Sequence, residues 1–321
     1  KHIVNYSIQE QIDVIEKVLS ENKIRAGVTW VNNSCFKETL KQHNISVFHH
    51  EMGPFRPIMY HPTIYLDFCG VNGNTEFDER FREFIKISGD VPILSREELI
   101  KIISPNYSNK LIGILNNKKF EYEIGVGLQV EVDTNLLLFN NERSWIDPIL
   151  RAEMDCSGKV LVRPHPAAGY ILKPIDRRIV VDNIIKGSAQ DFINKCRKIY
   201  CLNSSVGLEA MLLGREAKIF GDSPFKNICN LNEEEKLLAL NFTIFGYLIH
   251  RNLLFNDDYY KFRLSCKEDE RNLIIQITKK GEELKEQAAH IPSQMTGKWL
   301  NISNDEVQNM YHALYKLLSQ I

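Results

Sequence analysis

The strongest constraint on the fold lies in residues 159–222, where two short apolar runs each break into a polar loop. The first, KVLVRPHPAAGY, ends in Arg163-Pro164-His165-Pro166. The second, KIYCLNSSVGLEAMLLGREAKIFGD, breaks at Asn203-Ser204-Ser205 and passes straight into a helical pattern. Apolar runs of this length, bounded by turn-forming residues, read as buried strands. Strands that deliver polar groups at their carboxyl ends frame an open α/β sheet, whose ligands sit in the crevice outside those ends.

The rest of the chain alternates in the same way. Ser7 caps a helix carrying Ile8, Ile12, Ile15, Val18 and Leu19 at helical spacing. A strand over 24–31 stops at Asn32-Asn33-Ser34, a helix follows, and a second strand over 45–48 ends in HHEMGPFRP, so Glu51 is expected in a loop at a strand end. Residues 63–74, with Asp67, Gly70 and Gly73, read as an irregular loop lining the same cleft. Helices are predicted over 77–86, from Ser95, from Asp147 and over 233–240. Residues 123–133 read as a strand ending at Asp133-Thr134-Asn135, residues 182–193 as a connecting strand and helix, and 218–220 as a further strand; 106–119 resist assignment. The uncharged run 237–250 is too short to span a bilayer and suits a core helix. The charged stretch 256–294 reads as solvated helical faces, and 305–321 as a terminal amphipathic helix.

A chain of 321 residues suggests two domains of roughly 150 residues each. A net charge of −1 argues against a nucleic-acid-binding protein, which carries a basic surplus. Seven cysteines, at 35, 69, 156, 196, 201, 229 and 266, show neither C-x-x-C spacing nor a zinc-like His pattern, and read as thiols of a reducing compartment. No signal peptide is visible, and a first residue of Lys in place of Met suggests a piece of something longer.

Several polar residues at the strand ends have two readings. Ser204 and Ser205 are either ordinary helix N-caps or, with the free N–H groups of the helix that follows, a phosphate cradle. Leu208 stands where a capping box needs Glu or Gln, which leaves Glu209 either facing a ligand hydroxyl or solvated in the first turn. His165, stiffened by a proline on each side, either donates to a phosphate oxygen or is satisfied within its own turn. Asp133 is a turn former or a reactive carboxylate.

Taken together and in order, Glu51-x-Gly53-x-Phe55-Arg56, Gln129-Val130-x-x-Asp133-x-Asn135, Arg163-x-His165-Pro166, Ser204-Ser205-x-Gly207-x-Glu209-Ala210 and Phe220-Gly221-x-x-Pro224-Phe225 resemble the bacterial retaining β-Kdo transferases of capsule synthesis and of O-antigen synthases. The resemblance implies an α/β, GT-B-like enzyme of two Rossmann-like domains facing a cleft. These would be an acceptor and catalytic domain over 1–145 and a nucleotide-binding domain over 146–300, with a terminal helix over 301–321 returning to the first. It implies CMP-β-Kdo as donor substrate, no cofactor and no metal. Asp133 would be the nucleophile and Glu51 the acid/base, both carried by the first domain across the cleft, with His165 also catalytic. Arg163, His165, Pro166, Ser204, Ser205, Glu209 and Gly221 would hold the nucleotide, and Gly53, Arg56, Gln129 and Asn135 the sugar or acceptor. Expected partners are a saccharide or lipid-linked glycan acceptor and other modules of a polysaccharide synthase, at the cytoplasmic face of the inner membrane with at most peripheral association. The same broad fold also serves CMP-sialic acid transferases and nucleotide-sugar epimerases, and a non-catalytic nucleotide-sugar-binding module is the reading from another class.

Overall fold

A computed structural model describes residues 9–268 apart from 142, 168–171, 174–176 and 183–186. The chain divides into two compact units, residues 1–254 and 255–321. Of the second unit the described part is one helix, α11 (Asp257–Glu268); the predicted terminal helix lies outside the described residues.

The first unit holds two sheets. One has the order β1-β2-β3-β9, formed by β1 (Ala26–Trp30), β2 (Ser46–Met52), β3 (Thr63–Asp67) and β9 (Leu248–His250). Helix α1 (Gln9–Glu21) precedes β1, and α2 (Ser34–Gln42) joins β1 to β2 as a parallel crossover, with Asn33 capping it by accepting from the Phe36 N–H. The β2–β3 and β3–β9 pairs are antiparallel, so this half is a mixed sheet. Two expectations change here. Residues 63–67 form a strand where an irregular loop was predicted, because the apolar run Ile64-Tyr65-Leu66 fills an interior place beside β2, with all three residues buried. Glu51 also lies within β2, paired with Tyr65, and not in the loop that follows.

Helices α3 (Phe77–Ile87), α4 (Arg96–Ile103) and α5 (Ser108–Asn116) lead to the second sheet. Ser95 and Glu98 form the capping box that starts α4. Helix α5 occupies the stretch that sequence periodicity left open; its short apolar face, Leu111 and Ile114, is buried.

The second sheet is wholly parallel, in the order β6-β5-β4-β7-β8, from β4 (Tyr122–Gly127), β5 (Val160–Arg163), β6 (Ile179–Val181), β7 (Cys196–Cys201) and β8 (Glu216–Ile219). Helices α6 (Thr134–Phe139), α7 (Asp147–Asp155), α8 (Ala189–Lys195) and α9 (Val206–Leu212) fill the connections. Strand β4 is central, so the first-domain boundary expected at residue 145 falls too late. The apolar alternation in YEIGVG explains the placement. Ile124 and Val126 pack with Ile149, Ala152 and Tyr200 on one face, while Gly125 leaves room on the other for Phe192, which would lie 2.8 Å from any added Cβ.

One apolar core runs through both halves. Phe77 of α3 meets the rings of Phe225, Phe242 and Tyr247 at centroid distances of 5.8, 5.3 and 4.9 Å, and burying such a ring stabilises by roughly 1.5–3 kcal/mol. The uncharged run 237–250, expected to be one core helix, divides into three. Helix α10 (Glu233–Asn241) passes into a π-helical turn (Phe242–Tyr247) and then into β9. The wide turn brings Tyr247 to the first sheet, where its hydroxyl donates to Asp67 Oδ2 at 2.8 Å.

Asp67 is wholly buried at the end of β3. It also accepts from the N–H groups of Cys69 (2.7 Å), Gly70 (3.1 Å) and Glu76 (2.9 Å), so one carboxylate organises the loop 68–76. Burial, then the nearby Glu76 charge, hold its carboxyl above the usual range.

Candidate active site

In sequence order the strands of the second sheet lie third, second, first, fourth, fifth, so the winding reverses between β4 and β7. The crevice outside the carboxyl ends at such a reversal is where α/β sheets bind ligands. Gly127, the last residue of β4, is level with Arg163 on β5 and Cys201 on β7. Three loops therefore open side by side across about 10 Å, two strand spacings. A cavity of about 150 Å³ lies there. Its second-half wall includes Gln129, Asp133, Asn135, His165, Asn203, Ser204 and Ser205; its first-half wall is Met52, Pro54, Arg56, Tyr65 and Asn72.

Amide side chains join two of the loops. Gln129 Nε2 donates to Asn203 Oδ1 (2.8 Å) and its Oε1 accepts from Asn203 N (3.2 Å). Asn203 Nδ2 then donates to the Asn135 and Phe139 carbonyls, at 3.1 and 3.2 Å. Gln129 and Asn203 are buried, so these bonds are costly to break. Gln129 and Asn135 thus brace the wall they line.

His165 Nδ1 accepts from the Ala167 N–H at 3.1 Å. In the neutral ring the proton must then sit on Nε2, which makes that nitrogen a donor. Burial first, then the Arg163 charge, lower its pKa; Asp133 raises it and Arg56 lowers it. The imidazole is therefore neutral near pH 7. Ser205 precedes α9 without a side-chain cap bond, while Ser204 Oγ accepts from Val206 N at 3.3 Å. The capping reading fits Ser204, and the Ser205 hydroxyl is left to the cavity.

Asp133 is the N-cap of α6, with Oδ1 accepting from the Asn135 N–H at 2.9 Å. Its turn-forming role is thus real, and it fixes the carboxylate at the cavity by one oxygen. Because it follows β4, Asp133 stands on the same half as His165 and Ser205, not on the first domain as expected. Glu51, on β2 of the other sheet, is not among the residues that line the cavity, but it lies near enough to Asp133 to feel its charge. Burial raises its pKa, offset by the Met52 N–H that its Oε1 accepts and by the Arg56 charge, while the Asp133 charge raises it further. Arg56 donates through Nε to the Gly53 carbonyl at 3.0 Å.

Other predicted residues stand back from the cavity wall. Glu209 is buried, not solvated in the first turn, and accepts from Gln190 Nε2. Burial pushes its carboxyl up to about 7, against the lowering effects of Gln190, Tyr60, Arg56 and Arg163. Arg163 ends β5 half-buried, where desolvation lowers its pKa against the charges of Asp182 and Glu209. Pro166 is exposed. Gly53 is tied by its N–H to the Thr63 carbonyl at 2.8 Å, and Gly221 lets the chain pass so near Phe139 that a Cβ would lie 2.7 Å from that carbonyl oxygen. Sequence reasoning set residues 63–74 along the cleft without singling out Tyr65 or Asn72, since a residue of an interior strand and one of a clamped loop carry no local motif. A larger groove of about 580 Å³ lies at the amino ends of β4, β5 and β7, around Glu123, Lys159 and Arg197, and contains none of the predicted residues. Among the described residues no three His, Cys, Asp or Glu side chains converge to hold a metal ion, and no helix is long and apolar enough to cross a membrane.

Solved structures similar to the chain include two from one organism. Thermosulfurimonas dismutans KpsC, beta Kdo 2,7 transferase, is 15% identical with a TM-score of 0.47, over 74% of this chain and 82% of that one. Thermosulfurimonas dismutans KpsC, beta Kdo 2,4 transferase, is 14% identical with a TM-score of 0.45, over 79% and 92%. No curated protein matches. Residues 2–76, which contain β1 to β3, match the model of the glycosyltransferase 99 family N-terminal domain, and residues 108–237, which contain β4 to β8, match that of the capsule polysaccharide biosynthesis protein. The first match covers strands β1 to β3 and the second strands β4 to β8, and neither reaches half of the chain.

Proposed function

We propose that the protein transfers Kdo from CMP-β-Kdo to a saccharide acceptor with retention of configuration, by double displacement on Asp133. The observation that carries this reading is the meeting of a fixed carboxylate, a neutral imidazole and an arginine, Asp133, His165 and Arg56, around one cavity, with the Glu51 carboxyl near enough to respond to the Asp133 charge.

Retention needs two inversions, hence a nucleophile on one face of the anomeric carbon and a base for the incoming hydroxyl. Asp133 attacks the anomeric carbon, the bond to the phosphate oxygen breaks, and CMP leaves with the electron pair. The His165 Nε2–H and the Ser205 hydroxyl hydrogen-bond the departing phosphate; charge stabilisation suffices, because CMP is already a good leaving group. An acceptor hydroxyl then attacks the same carbon and gives its proton to Glu51, while the bond to Asp133 breaks. Burial raises the Glu51 pKa, which makes its carboxylate a better proton acceptor. Arg56 pairs with the sugar carboxylate. The mechanism uses no cofactor and no metal.

Intact-protein mass spectrometry of the Glu51→Gln variant incubated with CMP-Kdo tests the reading. A Kdo-sized increment mapping to Asp133, and lost when Asp133→Asn is added, is expected. Turnover without any adduct would rule out double displacement.

A further inference from the structure

Six non-glycine residues among those described have a left-handed backbone, and of these Asn72 (φ 69°) alone lines the cavity. The Gly73 N–H donates to the Val71 carbonyl at 2.9 Å, closing a three-residue turn around Asn72. With a positive φ at the centre this is the rare, strained kind of γ-turn. Such a conformation persists when its surroundings over-determine it, and it concentrates at functional sites.

The surroundings here do over-determine it. Val71 is wholly buried, and Asn32 grips it twice: Asn32 Oδ1 accepts from Val71 N (2.9 Å) and Asn32 Nδ2 donates to Val71 O (2.7 Å). Beyond the apex, the Asn74 N–H donates to Asp222 Oδ2 of the other half at 3.3 Å. The loop is thus pinned on both sides of Asn72. The half-buried Asn72 amide itself makes no hydrogen bond to a described residue, so its donors and acceptor are open at the cavity wall.

We infer that Asn72 is a specificity-determining residue whose amide binds hydroxyls of the transferred sugar. An amide offers one acceptor and two donors a short distance apart, which matches adjacent hydroxyls, each able to donate and accept. A phosphate at neutral pH chiefly accepts and would leave the amide oxygen unmatched. The groups suited to phosphate, the His165 Nε2–H and the Ser205 hydroxyl, stand on the opposite, second-half wall. Naming the sugar as Kdo rests on the proposed function; the role of Asn72 in holding a polyhydroxylated sugar rests on the turn.

Calorimetric titration of wild type, Asn72→Gly and Asn72→Asp with CMP and, separately, with free Kdo, sialic acid and mannose tests the inference, alongside thermal melting. Glycine accepts the positive φ without strain and aspartate tolerates it, so both variants should melt no lower than wild type. CMP affinity should stay within about twofold, and sugar affinity should fall about tenfold or more, the loss of a hydrogen bond or two. Either variant binding the sugar as tightly as wild type would overturn the inference. Wild-type selectivity for a panel sugar other than Kdo, lost in both variants, would uphold Asn72 while refuting the Kdo donor. Wild type binding none of the three sugars would overturn both.

Discussion

The two sheets reach the same cavity by different means. The parallel sheet supplies three loops from strands that end level, and hydrogen-bonded side chains lock two of them together: Gln129 and Asn135 on the β4 side, Asn203 on the β7 side. The mixed sheet brings the end of β2 and a loop held by one buried carboxylate, Asp67, and one clamping amide, Asn32. A parallel sheet at a winding reversal is preformed for binding, whereas an antiparallel one must build its part of a site from specific polar contacts.

The largest expected effect is on chemistry and is shared by both walls. Asp133→Ala on the second half should lower transfer on the order of 10⁴-fold, and Glu51→Gln on the first by about 10²- to 10⁴-fold, read from initial rates. Either variant at the wild-type rate would leave its wall without a catalytic role. Next comes Asp67→Ala, which strands three backbone N–H groups and the Tyr247 hydroxyl in the core. Denaturant unfolding should show a loss of about 3–5 kcal/mol, and a loss under 1 kcal/mol would mean that the first half does not depend on this carboxylate.

The third effect concerns pH. Burial raises the folded-state pKa of Glu209 from 4.5 to about 7, so the folded protein holds this proton more tightly than the unfolded chain. The contribution is full below about 4.5, declines as pH rises, and is gone above about 7; it is worth about 3 kcal/mol at most. His49 works the other way, since burial lowers its pKa from 6.5 to about 4, and its contribution is lost as pH falls through that window. Melting Glu209→Gln between pH 4.5 and 8 should isolate the first slope: stability relative to wild type should improve as pH rises, and an unchanged difference would show that Glu209 titrates normally. Smaller still, His165→Ala should weaken CMP binding about tenfold, as loss of one charge-assisted hydrogen bond implies, with its melting temperature unchanged. The smallest effect on folding belongs to Ser205→Ala, which removes no cap bond and should shift stability by under about 0.5 kcal/mol. Destabilisation near 1 kcal/mol would restore the capping reading.

The same contrast explains what the sequence disclosed. Residues 159–222 declared the parallel sheet because its strands are continuous apolar runs stopped by polar residues, so His165, Ser204 and Ser205 stood out. The gap was β4: its alternating glycines serve helix packing, which made YEIGVG look like one more strand of the preceding domain and put Asp133 on the wrong wall. In the mixed sheet, β3 follows a Pro and runs into Gly70 and Gly73, turn signals that concealed a strand made by pairing with β2. Glu209 shows the converse limit. Its position in a first helical turn suggested solvent or ligand, and only tertiary packing against Gln190 and Tyr60 buried it.

The shared bonds of Asn203 have a consequence for how substrate choice can change. One amide supports the chain at 129, 135 and 139 together, so a substitution at Asn203 disturbs the seat of Asp133 along with its own loop. That wall behaves as a single casting, which tolerates exchange as a set and resists exchange by parts. Arg56 and Asn72, fastened to separate anchors across the gap, can be altered one at a time, and a different sugar would be accommodated most readily there.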